Sequence, residues 1–231
     1  MTTTHPAKFS NEIISTIAPF VRDLQIKRII DPFAGVGRLS LLRAALAQEQ
    51  AISIDYVEIE PEWAAAIPYH PSDRVYVGDM RLVVPMLMAF QPTTRGYDAL
   101  VTSPTYGNRM ADTMLPDPKW QRHSYTTDLG RKLSAGNSGS LQWGRSYREF
   151  HIEAWATAVR AIRPGGYIIL NISNHIRNKE EQKVSEWHVE TLLGHGFRVV
   201  TTAPVITKRL RQGANRERVS SETVVVMQGI E

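Results

Sequence analysis

The chain of 231 residues carries 27 Lys and Arg against 23 Asp and Glu, a net charge of +4, and 42% of it is hydrophobic; this is the balance of a folded globular protein and excludes global disorder. There is no cysteine, which excludes disulfides, thiolate metal sites and thiol nucleophiles. The longest apolar run, Leu82 to Phe90, is too short to span a bilayer and contains Pro85, and the first residues lack the basic and apolar regions of a signal peptide, so a cytoplasmic protein with no membrane partner is expected.

Taken in chain order, Ile13, Ile14, Ile17, Phe20 and Val21 recur at helical spacing, which predicts a helix over 10–24 with Ser10 as its N-cap and Pro19 as a point of kinking or shortening. A short strand, 28–30, ends at Asp31 and is followed by the turn Phe33-Ala34-Gly35-Val36-Gly37 and a helix over 39–47. Residues 51–59 read as a second strand and 62–67 as a short helix stopped by Pro68. A third strand covers 74–77, a helix follows over 82–90, and a fourth strand covers 97–102. Residues 107 to about 146 have no apolar period and are too long for a connector, which predicts a functional loop. A helical stripe from Ile152 to Ile162 closes at Pro164-Gly165-Gly166. A strand over 167–172, a helix over 184–193, and strands over 197–206 and 223–227 complete the chain, the last two as a hairpin. Strands alternating with helices argue for one α/β domain over 1–231 with a mostly parallel sheet.

In such a sheet ligands bind beyond the carboxyl ends of the strands. The first strand ends in Asp31-Pro32-Phe33-Ala34-Gly35-Val36-Gly37, whose glycines let backbone approach a ligand. The spacing lacks the third glycine of the dinucleotide pattern, which argues against a nicotinamide oxidoreductase. The second strand delivers Glu58, suited to ribose hydroxyls, with Glu60 expected in solvent; the third ends in Gly78-Asp79-Met80, an acid that can accept from an adenine amino group. The fourth ends in Thr102-Ser103-Pro104-Thr105-Tyr106-Gly107.

Here the sequence resembles the amino-group DNA methyltransferases, whose catalytic motif is Asp, Asn or Ser, then Pro-Pro, then Tyr or Phe. The resemblance spans most of the chain, from His5-Pro6-Ala7-Lys8-Phe9 through the glycine turn to Ser103-Pro104-Thr105-Tyr106, and departs from the motif at Thr105. It implies a Rossmann-like methyltransferase fold, a seven-stranded sheet with a C-terminal antiparallel hairpin, and S-adenosylmethionine (SAM) as cofactor. The cofactor site it implies is formed by His5, Pro6 and Phe9 near the methionine end, by Asp31, Phe33, Ala34, Gly35 and Gly37, and by Glu58, Ile59, Asp79 and Met80. It further implies that Ser103 and the Pro104 carbonyl accept the hydrogens of an exocyclic amine while Tyr106 stacks on a flipped base, and the serine form leans towards cytosine N4 over adenine N6.

The carbon-5 cytosine methyltransferases are excluded, because they need a thiolate. The seven histidines are scattered and no metal is expected; His175 and His188 read as structural or surface residues. Between Gly107 and Arg148 seven Lys or Arg face three Asp, and a second basic run covers 207–218. Clustered charge reads equally as a contact to a polyanion or as a solvated surface; on the first reading Arg109, Lys119, Arg122, Arg209 and Arg211 are the candidate contacts to DNA. Trp120, Trp143 and Tyr125 read equally as base-stacking or loop-supporting residues. An RNA amino-group methyltransferase and a catalytically inactive nucleic-acid-binding protein of the same fold are the alternatives.

Overall fold

The computed structural model describes residues 5, 9–47, 49–90, 96–108, 111, 124–206, 219 and 221–230. Pro6, Lys119, Trp120, Arg109, Arg122, Arg209 and Arg211 lie outside them.

Helix α1 (Asn11–Asp23) is capped by Ser10, whose hydroxyl accepts from the Ile13 amide at 3.3 Å, and Pro19 falls inside it without ending it. Strands β1 (Arg28–Asp31), β2 (Ser53–Glu58), β3 (Arg74–Val77), β4 (Tyr97–Thr102) and β5 (Ile162–Ile172) are parallel, and β8 (Phe197–Ile206) and β9 (Ser221–Gly229) form an antiparallel hairpin at one side. The sheet order is β3-β2-β1-β4-β5-β9-β8. Helices α2 (Leu42–Ala45), α3 (Pro61–Ala64), α4 (Met80–Phe90), α5 (Tyr125–Leu129), α6 (Arg145–Ala158) and α7 (Val184–Leu193) fill the connections.

Alternation along the strands divides the core in two. Ile29, Ile54, Ala99, Ile169 and Val226 pack against Ile13, Ile17 and Val21 of α1 on one face. Ile30, Leu100, Ile168, Leu170 and Val225 face α4, α6 and α7 on the other. Both faces are covered, so the central strands are continuous apolar runs. Neighbours of β1 on opposite sides, β2 and β4, lead away in opposite directions, which opens a crevice at the carboxyl tips.

Three expectations differ. The helix expected over 39–47 is a 3-10 turn (Arg38–Leu41) followed by the four-residue α2, closed by Ala47 at φ +48°. Its Leu39, Leu42 and Leu46 are buried at helical spacing, which is what the pattern registers. Pro164-Gly165-Gly166 does not close a helix; it lies inside β5 as an irregularity opposite Asp98, where the pairing jumps from Tyr97–Ile162 to Ala99–Tyr167. The expected loop carries α5, a 3-10 turn at Ser138–Ser140 and the start of α6. A small hairpin, β6 (His175–Arg177) and β7 (Glu180–Gln182), follows β5, turning at Asn178 and Lys179, both with positive φ. Among the described residues no helix is long and apolar enough to cross a membrane.

Candidate active site

Asp31 ends β1 buried beneath the turn; its Oδ1 accepts from the Thr102 hydroxyl at 2.6 Å and the Phe33 amide at 3.2 Å. Burial pushes its carboxyl up to about 7, against the pull of those two bonds. The Ala34 amide ties the turn to the Val57 carbonyl of β2 at 3.1 Å. Gly35 (φ +54°) lies under the His5 ring, which a Cβ would meet at 3.3 Å, and a Cβ on Gly37 (φ +67°) would stand 2.6 Å from Ile67 Cγ2. Gly37 therefore sits behind the turn, fixed by packing.

Glu58 faces Gly35 across the crevice. Its Oε2 accepts from the Gly35 amide at 2.7 Å and its Oε1 from the Glu60 amide at 2.9 Å. Burial pushes this carboxyl also up to about 7, although both amide bonds oppose the shift. These tips line one cleft together with Phe9, Phe33, Ala34, Ile59, Asp79, Met80 and Ser103. Asp79 is oriented by Arg81, whose amide donates to Oδ1 at 2.9 Å and whose guanidinium donates to Oδ2 at 2.6 Å; Arg81 in turn bridges to Glu153 and lies 4.4 Å over Phe150.

At the turn after β4, Ser103 and Thr105 line the cleft and Pro104 is buried. Tyr106 does not line it. Its hydroxyl turns into the protein, 2.8 Å from Ser103 Oγ, 2.9 Å from Glu222 Oε2 and 2.9 Å from Asn171 Nδ2, and its ring packs against the core under α6. Burial, with the Glu222 carboxylate beside it, holds this phenol well above its ordinary value. Thr105, standing where the motif has its second proline, uses its hydroxyl to donate to Ser138 Oγ at 3.0 Å, while its carbonyl accepts from the Tyr147 hydroxyl. A side-chain bond thus anchors a position that proline would stiffen through its ring.

The fourth wall was hidden from sequence reasoning. Glu60, expected in solvent, is buried and receives four bonds from the segment after α5: from the Ser134 amide (2.7 Å), the Ser134 hydroxyl (2.8 Å), Asn137 Nδ2 (2.7 Å) and Arg131 Nη2 (2.7 Å). Burial alone would raise its carboxyl, yet those bonds outweigh it and hold the group below the ordinary range. Gly136, Asn137 and Ser138 are thereby laid along the cleft. Trp63, 4.2 Å from His5 between ring centroids, and Tyr125, 5.6 Å from it, close the His5 end. Tyr125 thus supports the site from within. Trp143 is also held structurally, its amide on the Gly107 carbonyl at 2.8 Å and its ring against Tyr147 and Trp187. His188 is buried, accepting from Trp155 Nε1 at 2.8 Å and bonded to the Tyr147 hydroxyl at 2.8 Å. Among the described residues no group of three His, Cys, Asp or Glu could hold a metal.

Several solved structures share this architecture. The O-methyltransferase TomG from Streptomyces achromogenes, in complex with SAM, superposes with a TM-score of 0.54 at 14% identity over 96% of this chain and 82% of its own. The N-methyltransferase NodS from Bradyrhizobium japonicum WM9, in complex with S-adenosyl-l-homocysteine, gives 0.50 at 10% identity over 96% and 89%. TrmN from Thermus thermophilus gives 0.51 at 12% identity over 95% of this chain, which spans about half of TrmN (49%). The fold is the Rossmann-like methyltransferase fold. No family model and no curated protein matches the sequence.

Proposed function

We propose that this chain is a SAM-dependent methyltransferase acting on an exocyclic amino group of a DNA base, cytosine N4 in preference to adenine N6. The observation that carries the reading is that Ser103 opens into the same cleft as Gly35, Glu58 and Asp79. The residues fit the cofactor: a Cβ on Gly35, at φ +54°, would crowd the His5 ring at 3.3 Å, and carboxylates at the tips of β2 and after β3 suit ribose hydroxyls and an adenine amino group. Glu58 would hold the ribose, Asp79 the adenine amino group between Ile59 and Met80, and His5 and Phe9 the methionine end, with Asp31 and Gly37 supporting the turn. Bound there, SAM supplies an electrophilic methyl group.

Ser103 Oγ and the Pro104 carbonyl accept the two amine hydrogens, which localises the nitrogen lone pair for attack. Alignment of the reacting groups accounts for much of the acceleration, and the side chains need not form a covalent intermediate. The chain acts as one domain in which segment 107–146 and run 207–218 recognise the nucleic acid, Arg109, Lys119, Arg122, Arg209 and Arg211 meeting its phosphates. Affinity then falls steeply with salt.

Mass spectrometry of nucleosides from DNA and from tRNA incubated with protein and SAM tests the reading. Methylated cytosine from DNA is expected. Methyl groups in tRNA alone would move the substrate to RNA, and none in either would refute the activity. Tyr106→Ala should abolish transfer with cofactor affinity nearly intact; unchanged turnover would remove the motif from the mechanism.

A further inference from the structure

Ser103 can accept an amine hydrogen only if its own hydrogen points away from the cleft, and the hydrogen-bond network behind it determines this. Glu222, on β9, accepts at a single Oε2 from Tyr106 (2.9 Å) and from Asn171 Nδ2 (2.7 Å). The Asn171 amide is fixed by that contact, since its oxygen turned towards a carboxylate would be repelled. Its nitrogen therefore also faces the Tyr106 oxygen at 2.9 Å, as a donor. Tyr106 has one hydrogen, and Glu222 takes it. The 2.8 Å contact between Ser103 and Tyr106 can then exist only with Ser103 donating. The hydrogen that Asn171 gives Tyr106 is shared with Ser103 Oγ, the longer contact at 3.3 Å, so a lone pair of Ser103 remains for the cleft that its side chain lines.

From this geometry we infer that Glu222 is a positioning residue of the methyl transfer: through Tyr106, with Asn171, it sets the direction of the chain so that Ser103 is an acceptor towards the substrate amine. The inference rests on the proposed function. It also gives Tyr106 a task suited to its inward-turned hydroxyl. Neither residue was reachable from the sequence, because Asn171 and Glu222 come from β5 and β9, strands that bear no motif.

The test compares Glu222→Leu, Glu222→Gln and Tyr106→Phe by steady-state methyl transfer to DNA. Leucine removes the acceptor, which frees the Tyr106 hydrogen for Ser103 and turns the serine hydrogen into the cleft. kcat should fall about 100-fold with the KM for SAM changed less than about threefold. Tyr106→Phe should cost about as much, and the double variant no more than either, as for residues acting in one chain. Glutamine can present its amide oxygen to the same two donors, so Glu222→Gln should recover to within about tenfold of the wild type. Circular dichroism and thermal unfolding verify that each variant folds, and Tyr106→Phe carries the test should Glu222→Leu not fold. Wild-type kcat in Glu222→Leu or in Tyr106→Phe overturns the inference. So does a loss in Glu222→Gln equal to that in leucine, which would assign the effect to charge. A wild-type protein that binds SAM and methylates neither DNA nor tRNA overturns the underlying reading, and this inference with it.

Discussion

Replacing Glu60 by alanine removes the acceptor of four hydrogen bonds that hold residues 131–137 against the cleft. Bonds to a charged acceptor each contribute about 1.5–3 kcal/mol, so four left simply unmade would cost at least about 6 kcal/mol, comparable with the stability of a whole domain. The donors avoid that by turning to water. The segment therefore comes away, and the observable loss is that of docking, roughly 2–4 kcal/mol. Thr105 retains part of the attachment through Ser138. Because Gly136, Asn137 and Ser138 form one wall of the cleft, the apparent affinity for SAM falls with the docked fraction, by tenfold or more. Isothermal titration of SAM measures the affinity, and tryptic cleavage after Arg131 and Lys132 measures the docking. An unchanged affinity together with unchanged cleavage would refute the view that a buried carboxylate latches this wall.

Asp31 and Glu58 are each pushed up to about 7 in the fold and titrate near 4 when unfolded, so between those values the folded state holds the extra protons. Their contribution to stability is complete below about pH 4 and is lost as pH rises through about 7. Buried His151 and His188, held neutral by burial, contribute with the opposite sign, so urea midpoints should be compared between wild type and Asp31→Asn. The variant should gain about 1–3 kcal/mol relative to wild type between pH 5 and 8, and parallel profiles would count against a strained Asp31 carboxylate. Gly37→Ala places a Cβ at 2.6 Å from Ile67 in a left-handed conformation and should cost roughly 2–4 kcal/mol, read as a thermal midpoint lower by roughly 5–15 °C; an unshifted midpoint would mean the turn relaxes freely. Trp155→Phe strips His188 Nδ1 of its buried donor and should cost about 1–3 kcal/mol with SAM affinity unchanged, whereas a lost affinity would tie that cluster to the cleft.

The sheet was legible for two reasons: β4, buried on both faces, is a mostly apolar run, and the largely exposed edge strands β3 and β8 are marked by β-branched and aromatic residues. The glycine turn, Glu58, Asp79 and Ser103 were legible for a related reason, since each lies next to the end of such a run, and strand ends are where a parallel sheet puts its ligands. Glu60 was misjudged because its burial comes from residues 131–137, more than seventy positions away, and nothing local signals a partner at that range. Asn171 and Glu222 are likewise concealed by their remoteness in sequence from Tyr106, 65 and 116 positions. The hairpin β6–β7 has three-residue strands with no apolar alternation, so the pattern that marks longer strands has nothing to act on. Position 105 reads in the sequence as a departure from the motif, and only packing reveals the hydroxyl bond to Ser138 that anchors it.

The pairing of the Gly35 amide with Glu58 has a consequence for which adenine-bearing molecules this crevice can admit. Nucleotide sheets that take a pyrophosphate leave the amides of the first turn and the following helix open to an anion. Here the Gly35 and Glu60 amides are already spent on a carboxylate, and in place of a long helix the turn runs into a short 3-10 segment with little dipole to offer. ATP or NADH would bring negative charge against Glu58, whereas an adenosine carrying a cationic substituent meets the same carboxylate as an attraction. Under the proposed function, Glu58 would thus weight the crevice towards cationic adenosines and against phosphate-bearing ones.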